Sequence, residues 1–346
     1  MRPNSSIASW AWHDKTMKHL PLSRRRALGV LGAAAAIAAP WAQAQSKWPT
    51  KPIRLVVPFG AGGVADLTAR AVGQKLSEQL GQSIVIDNRP GAGGVTAGSL
   101  VAQAEPDGYT LFLMSNGTAV SEGLFSKLPF DAEKDFAPIS LLGTFDIGVV
   151  VADNSRFKTL GDLLAEAKAK PGKLNIATIA VGSTQNLAAE LFKSTAGIQA
   201  QVVPFNGTPA VVTALRGGEV DAGVEILAPI RSQISSKALR ALATFGEKRA
   251  LGLPDVPTAS ETGGALKGLH IASWNALAAP ARTPKDIIDR LNKECQVALA
   301  SADLKKKLAD LSVDAKSSTP QQLAGLLSSE IKRWSGVIAQ AKIPKM

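Results

Sequence analysis

The chain has 346 residues, 45% of them apolar, with 39 basic against 28 acidic side chains. That length suits about two α/β domains with a sizeable core, and a single cysteine excludes any intrachain disulfide. Six basic residues and one acidic residue precede Gln45, so the remainder carries a net charge of +6. It lacks the Lys/Arg clusters with interleaved aromatics that nucleic-acid binding needs.

Arg24-Arg25-Arg26 opens a basic segment, Ala27 to Ala39 is small or apolar throughout, and Ala42-Gln43-Ala44 offers small residues to a signal peptidase. Residues 1–44 are therefore expected to be a cleavable export signal, too short for a permanent membrane span. Ser23-Arg24-Arg25 with Leu28 behind it fits twin-arginine export as well as the general secretory (Sec) route. Met17 is a second candidate start. No later apolar run spans a membrane, since Ile139 to Ala152 is cut by Asp146. The expected location is the periplasm.

Ile53 to Val57 is a short β-branched run, read as a buried strand and ended by Pro58. Gly60, Gly62 and Gly63 form a turn, and a helix with Ala69, Val72, Leu76 and Leu80 on one face follows to Gly81. A strand, a glycine turn and a helix N-terminus make an anion receptor from backbone N–H groups. The unit recurs at Ser83 to Ala104, with Asn88-Arg89-Pro90-Gly91 leading its turn, and Thr110 to Met114 is a third strand ending in Ser115-Asn116-Gly117. Such repeats predict a parallel sheet with helices on both faces and a ligand beyond the carboxyl ends of the strands. Ile147 to Val151 reads as a strand crossing into a second domain, where the plan returns. There a strand at Asn175 to Thr178 meets a Val181-Gly182-Ser183-Thr184 turn and a helix to Thr195. Thr208-Pro209 then reads as an N-cap with proline behind it, and Val220 to Ile226 and Leu239 to Thr244 as strands. A strand from His270 leads back to helices opened by Thr283-Pro284 and Thr319-Pro320, with Gln322 placed for a capping box. These last helices need the first sheet to cover. The implied plan is a signal at 1–44, lobe one from residues 45–145 plus 270–346, lobe two from 146–269, and a hinge of two crossings.

Catalysis has little to work with. After Gln45 the chain holds one histidine, His270, and one cysteine, Cys295, the latter on the apolar stripe of its helix. No Gly-x-Ser-x-Gly elbow or metal-spaced Cys/His cluster occurs, and no cofactor is expected. The alternative is an exported nucleotide-dependent oxidoreductase using Gly60 to Ala65 as a Rossmann turn, with Asp87 ending the next strand. Against it stand Asp66 in the first helical turn and a second glycine turn at Gly91.

Trp48-Pro49 to Ile53, Val57-Pro58-Phe59, Gly62-Gly63-x-x-Asp66-x-x-x-Arg70 and Asn88-Arg89-Pro90-Gly91-Ala92-Gly93-Gly94 resemble the Bug receptors, extracytoplasmic solute receptors of tripartite tricarboxylate transporters. Pro106-Asp107-Gly108-Tyr109, Lys134 to Pro138, Pro254 to Thr258 and Thr283-Pro284 extend the resemblance over residues 46–346. It implies a two-lobed, type II-like periplasmic binding protein, each lobe a mostly parallel sheet flanked by helices, and not an enzyme. The implied ligand is a small carboxylate (a di- or tricarboxylate, amino acid or aromatic acid), held by backbone N–H groups and water. The implied partners are membrane permease subunits or a sensor domain, with the receptor itself a monomer. Carried over, the ligand-binding residues are Phe59, Ala61, Gly62, Gly63, Asp66, Asn116, Gly182, Ser183, Thr184 and Glu225. Asn186 and Glu225 stand where the family often has histidine and aspartate. A longer carboxylate at 225 would narrow the cleft or select a ligand with a donor, such as an amino group.

Overall fold

The computed structural model describes residues 48–91, 94–179 and 181–346, so the expected export signal lies outside the described residues. Residues Trp48–Met346 form one compact unit. The first lobe opens with β1 (Ile53–Val57), α1 (Val64–Leu80), β2 (Ile84–Asn88), α2 (Val95–Ala102), β3 (Thr110–Ser115) and α3 (Asn116–Leu124). β1 lies between β2 and β3, parallel to both. Its side chains feed two cores, Val56 on one face and Ile53, Leu55 and Val57 on the other. That double burial is why Leu55, Val56 and Val57 are apolar without alternation, while Arg54, half-buried on the Val56 face, pairs with Asp87. α1 ends at Gly81 in the left-handed region, φ 69°, the conformation a glycine stop supplies.

β4 (Phe136–Ala152) is one strand of 17 residues, where the sequence suggested a strand only from Ile147. Ser140, Gly143 and Asp146 break the apolar pattern, but each has a place in the strand. Ser140 accepts from Ser318 N at 3.1 Å, and a Cβ on Gly143 would lie 2.5 Å from Val313 Cγ1. The second lobe then runs α4 (Leu160–Ala169), β5 (Leu174–Ile179), α5 (Thr184–Ala196), β6 (Ala200–Phe205), α6 (Thr208–Gly217), β7 (Ala222–Ile226), α7 (Leu227–Ser235) and β8 (Leu239–Thr244). The chain returns through β9 (Ala272–Pro280), α8 (Lys285–Ala300), α9 (Ala302–Asp310), β10 (Asp314–Ala315) and α10 (Pro320–Gln340).

The strand order is β2-β1-β3-β9-β4-β7-β5-β6, with β4 as the shared member. Phe136 to Asp146 of β4 pairs with β9, and Ile147 to Ala152 with β7 and β8. The return crossing lies beside the outgoing one: Phe245 N donates to Ile147 O, and Ile271 N to Phe245 O, both at 2.8 Å. α8 buries Ile288, Leu291, Cys295 and Ala298 in the core that holds Ile53 and Leu55, and α10 has the Thr319–Gln322 capping box the sequence suggests. The largest buried cluster runs from one lobe into the other through Leu124 of α3, Leu187 and Phe192 of α5, and Trp334 of α10.

Candidate ligand cleft

The turn after β1 exposes Phe59, Gly60, Ala61, Gly62 and Gly63. Gly63 is the N-cap of α1 and has no side chain to cap it, so the first-turn amides keep their hydrogen-bonding capacity. Asp66 sits beneath the turn at 2% exposed. Its carboxylate accepts from Gly62 N at 2.8 Å, Arg70 Nε at 3.0 Å and Asn88 Nδ2 at 3.0 Å. Asn88 also donates to Phe59 O at 3.0 Å, joining β2 to the turn. Burial works to raise the Asp66 pKa, but Arg70, Gly62 and Asn88 together hold the carboxyl below its ordinary range. Asp66 therefore shapes the receptor loop from behind, with both oxygens already engaged by the protein.

The second lobe repeats the device. Gly182, at φ 77°, donates its N–H to Asn186 Oδ1 at 3.1 Å, as Gly62, at φ 86°, donates to Asp66 four residues on. The first pin is charged and the second neutral. Asn186 Nδ2 continues to Thr178 Oγ1 at 3.3 Å, so the residue that departs from the family pattern still braces the loop to β5. Ser183 caps α5 by accepting from Asn186 N at 3.1 Å. α5 is thus capped where α1 is not, which makes α1 the better anion receptor of the two.

Asn116 is the first residue of α3, where the sequence suggested only a turn, because Ser115 and Thr118 form a capping box. Fully buried, it donates from Nδ2 to Thr184 Oγ1 at 3.1 Å across to the other lobe. Its Oδ1 accepts from Trp334 Nε1 at 2.9 Å, and the indole also donates to Glu330 at 2.8 Å. Thus Asn116, Gly182, Ser183 and Thr184 come together. Gly182 packs so closely on α3 that a Cβ there would lie 2.2 Å from Leu124 Cδ2.

Glu225, the penultimate residue of β7, is fully buried, with Oε2 accepting from Gln185 at 3.3 Å and Thr208 at 3.1 Å. Thr208 is free for this because the N-cap of α6 is Gly207, not Thr208 as the sequence suggested. Burial pushes the Glu225 pKa up to about 7. Of the ten site residues expected, Glu225 alone has a buried side-chain polar atom, Oε1, without a hydrogen-bond partner. Sequence reasoning did not assign Arg70, Asn88, Gln185 or Thr208 to the site, and marked Asn186 only as a departure from the family pattern. Only the i, i+4 spacings of 62 with 66, 66 with 70 and 182 with 186 were available to reveal part of this supporting set.

The dinucleotide alternative needs Asp87 free for a ribose. Instead Arg54 Nε reaches Asp87 Oδ2 at 2.7 Å and Arg89 Nε reaches Oδ1 at 2.9 Å. Cys295 is buried with its pKa pushed up to about 12 by burial, the environment of an inert thiol. Among the described residues no group of three His, Cys, Asp or Glu is placed to hold a metal, and no helix is long and apolar enough to cross a membrane.

Residues 68–343 match the family model of the tripartite tricarboxylate transporter family receptor. The chain is 35% identical over 322 residues to a Pseudomonas sp. (strain P51) protein of the tcbD-tcbE intergenic region, covering 93% of this chain and 96% of that one. It is also 35% identical over 317 residues to BugT of Bordetella pertussis, covering 90% and 95%. Among solved structures, an R. palustris protein with adipate superposes with TM-score 0.77 at 32% identity, covering 86% of this chain and all of that one. MatC from Rhodopseudomonas palustris with bound malate gives 0.71 at 32% identity, covering 84% of this chain and all of that one. The periplasmic binding protein BugD gives 0.74 at 28%, covering 86% of this chain and all of that one. The two-lobed α/β fold, the uncapped glycine loop over β1 and these likenesses agree: this chain belongs to the Bug-type receptors of the tripartite tricarboxylate transporter family, a family of solute-binding proteins and not of enzymes.

Proposed function

We propose that the chain is exported by cleavage after residue 44, by the Sec or the twin-arginine route, and acts in the periplasm as a monomeric receptor that closes on one small carboxylate. Lobe one comprises residues 45–145 and 270–346, and lobe two residues 146–269. The ligand carboxylate docks on the backbone N–H groups of the Gly62–Gly63 turn, with Phe59 and Ala61 at its rim, and Gly182, Ser183 and Thr184 come down from the other lobe. Asp66 and Asn116 act from behind, one holding the loop and the other tying the lobes. The closed form is then delivered to permease subunits of a tripartite transporter or to a sensor domain, since a partner responds only to a state that the ligand favours.

The observation that carries this reading is the uncapped N-terminus of α1 under a glycine loop held by Asp66. Arg70 donates to Asp66 and Asn88, and the turn's own backbone N–H groups offer the receptor for an anion. The adipate and malate bound by two relatives support a dicarboxylate as first choice. The test is a thermal-shift screen of residues 45–346 against di- and tricarboxylates, amino acids, aromatic acids and nicotinamide dinucleotides. A ligand at 100 times its Kd adds about 2.7 kcal/mol. Gly63→Ala is the matched control: at φ −80° alanine is unstrained, and its Cβ meets only Gly60 O at 3.9 Å. The expected result is an unchanged fold with the ligand shift lost. A shift that survives Gly63→Ala, or one produced only by dinucleotides, overturns the loop as receptor.

A further inference from the structure

The Glu225 carboxyl lies between the first turns of α5 and α6, at the carboxyl end of β7, the sheet edge at which open α/β sheets receive ligands. Gln185 follows Thr184, the residue that meets Asn116 of the other lobe, so the carboxyl sits directly behind the interlobe contact. The groups facing it are Gln185 of α5, Thr208 of α6, the backbone of Ile226 and, across the ladder, Gly148 of β4. None of these titrates, and no charged side chain of the described residues acts on it.

This cradle suits a carboxylic acid better than a carboxylate. An ionised carboxyl here would be a fully buried charge with no counter-ion, an arrangement that costs several kcal/mol. Oε2 already accepts from an amide N–H and a hydroxyl, so in the acid form the proton belongs on Oε1. Oε1 has no acceptor within the protein. An acceptor supplied by a bound ligand would complete it.

We infer that Glu225 binds in its acid form and donates its Oε1–H to the far carboxylate of a dicarboxylic acid whose near carboxylate occupies the α1 loop, so that capture takes up one proton from solvent. This rests on the receptor reading above and adds to it the protonation state of residue 225 and a proton linkage. It opposes the alternative in which an ionised residue 225 holds the ammonium of an amino acid. With the residue half-ionised near pH 7, dicarboxylate affinity falls about tenfold from pH 6 to pH 8, a range in which the ligand is mostly the dianion.

Isothermal titration of residues 45–346 with adipate, succinate and aspartate, in buffers of different ionisation enthalpy at pH 6 to 8, tests this. Succinate and aspartate differ by one amino group. The expected result is uptake approaching one proton per adipate or succinate at pH 8, with affinity rising as pH falls. Glu225→Gln keeps an N–H donor in place of the O–H, so it should still bind the dicarboxylate, with no proton uptake and a flat pH profile. Glu225→Leu keeps similar bulk, and its circular dichroism and melting curve establish folding; it should lose dicarboxylate affinity at least tenfold. Dicarboxylate binding without proton uptake overturns the inference and leaves the receptor standing. So does binding confined to aspartate and abolished in Glu225→Gln. Failure of all three acids to bind the unsubstituted protein at any pH, together with no shift in the wider thermal screen, overturns the receptor reading as well.

Discussion

Gly182→Ala tests whether the second-lobe loop must seat against α3 for the receptor to close. Gly182 has φ 77°, and an added Cβ would lie 2.2 Å from Leu124 Cδ2 and 3.3 Å from both Cδ1 and Cγ. All three are atoms of one side chain, and Leu124 is itself buried at 2% exposed, so it has little room to turn away. Two costs arise and they report differently. Left-handed alanine costs roughly 1–2 kcal/mol wherever the lobes are. Overpacking against Leu124 costs roughly 1–3 kcal/mol, but only while the loop and α3 are in contact, so opening relieves it. The first cost appears in urea unfolding of the free protein. The second appears as about a 10- to 100-fold loss of affinity through a shift toward the open form. Titration calorimetry measures the affinity, and the radius of gyration from solution scattering measures the opening. Leu124→Val, which shortens the side chain, should restore most of the affinity in the Gly182→Ala background without restoring stability. An affinity loss that Leu124→Val leaves untouched, or no loss at all, would refute the seating argument.

Asp66→Asn removes the charge that gathers Gly62, Arg70 and Asn88 and should cost about 1–3 kcal/mol at pH 7, with weaker ligand binding because the loop loses its brace. The folded-state pKa of Asp66 is depressed, so its contribution is complete above the unfolded value of 3.8 and is lost as pH falls through the folded value. Urea midpoints of parent and variant should therefore converge in strong acid, and a gap that persists there would count against the ionic brace. Cys295 should resist thiol reagents in the native protein and label at the rate of a free thiol in denaturant, given its full burial and its pKa of about 12. Rapid native labelling would show that α8 does not pack as described.

Much of this molecule can be read along the chain because much of it is local. A β-branched run followed by glycines and a 3.6-residue apolar period has one compact solution, a strand, a tight turn and a helix, and the turn's exposed amides follow from helix geometry alone. The glycine stops at Gly81, Gly197 and Gly218 and the Thr319–Gln322 capping box are decided within four residues. Even the two loop pins, Gly62 to Asp66 and Gly182 to Asn186, are within that reach.

Contacts between distant parts of the chain follow a different logic. Whether Phe136 to Ala152 forms one strand or two depends on β9, β10, β7 and β8 arriving beside it, and no local pattern encodes their register. Asn116 meets Thr184 across 68 residues of sequence and Trp334 across 218, and Glu225 draws its partners from two separate helices. The sequence by itself determined the strand, turn and helix units, their glycine receptor and the family to which they belong. Only the tertiary structure decided that Asn88 of β2 joins the Asp66 brace, that Asn116 ties the lobes and that Glu225 keeps one oxygen unmet. Hydrogen bonds within a turn are dictated by backbone geometry, whereas those between lobes depend on which surfaces the packed sheets bring together.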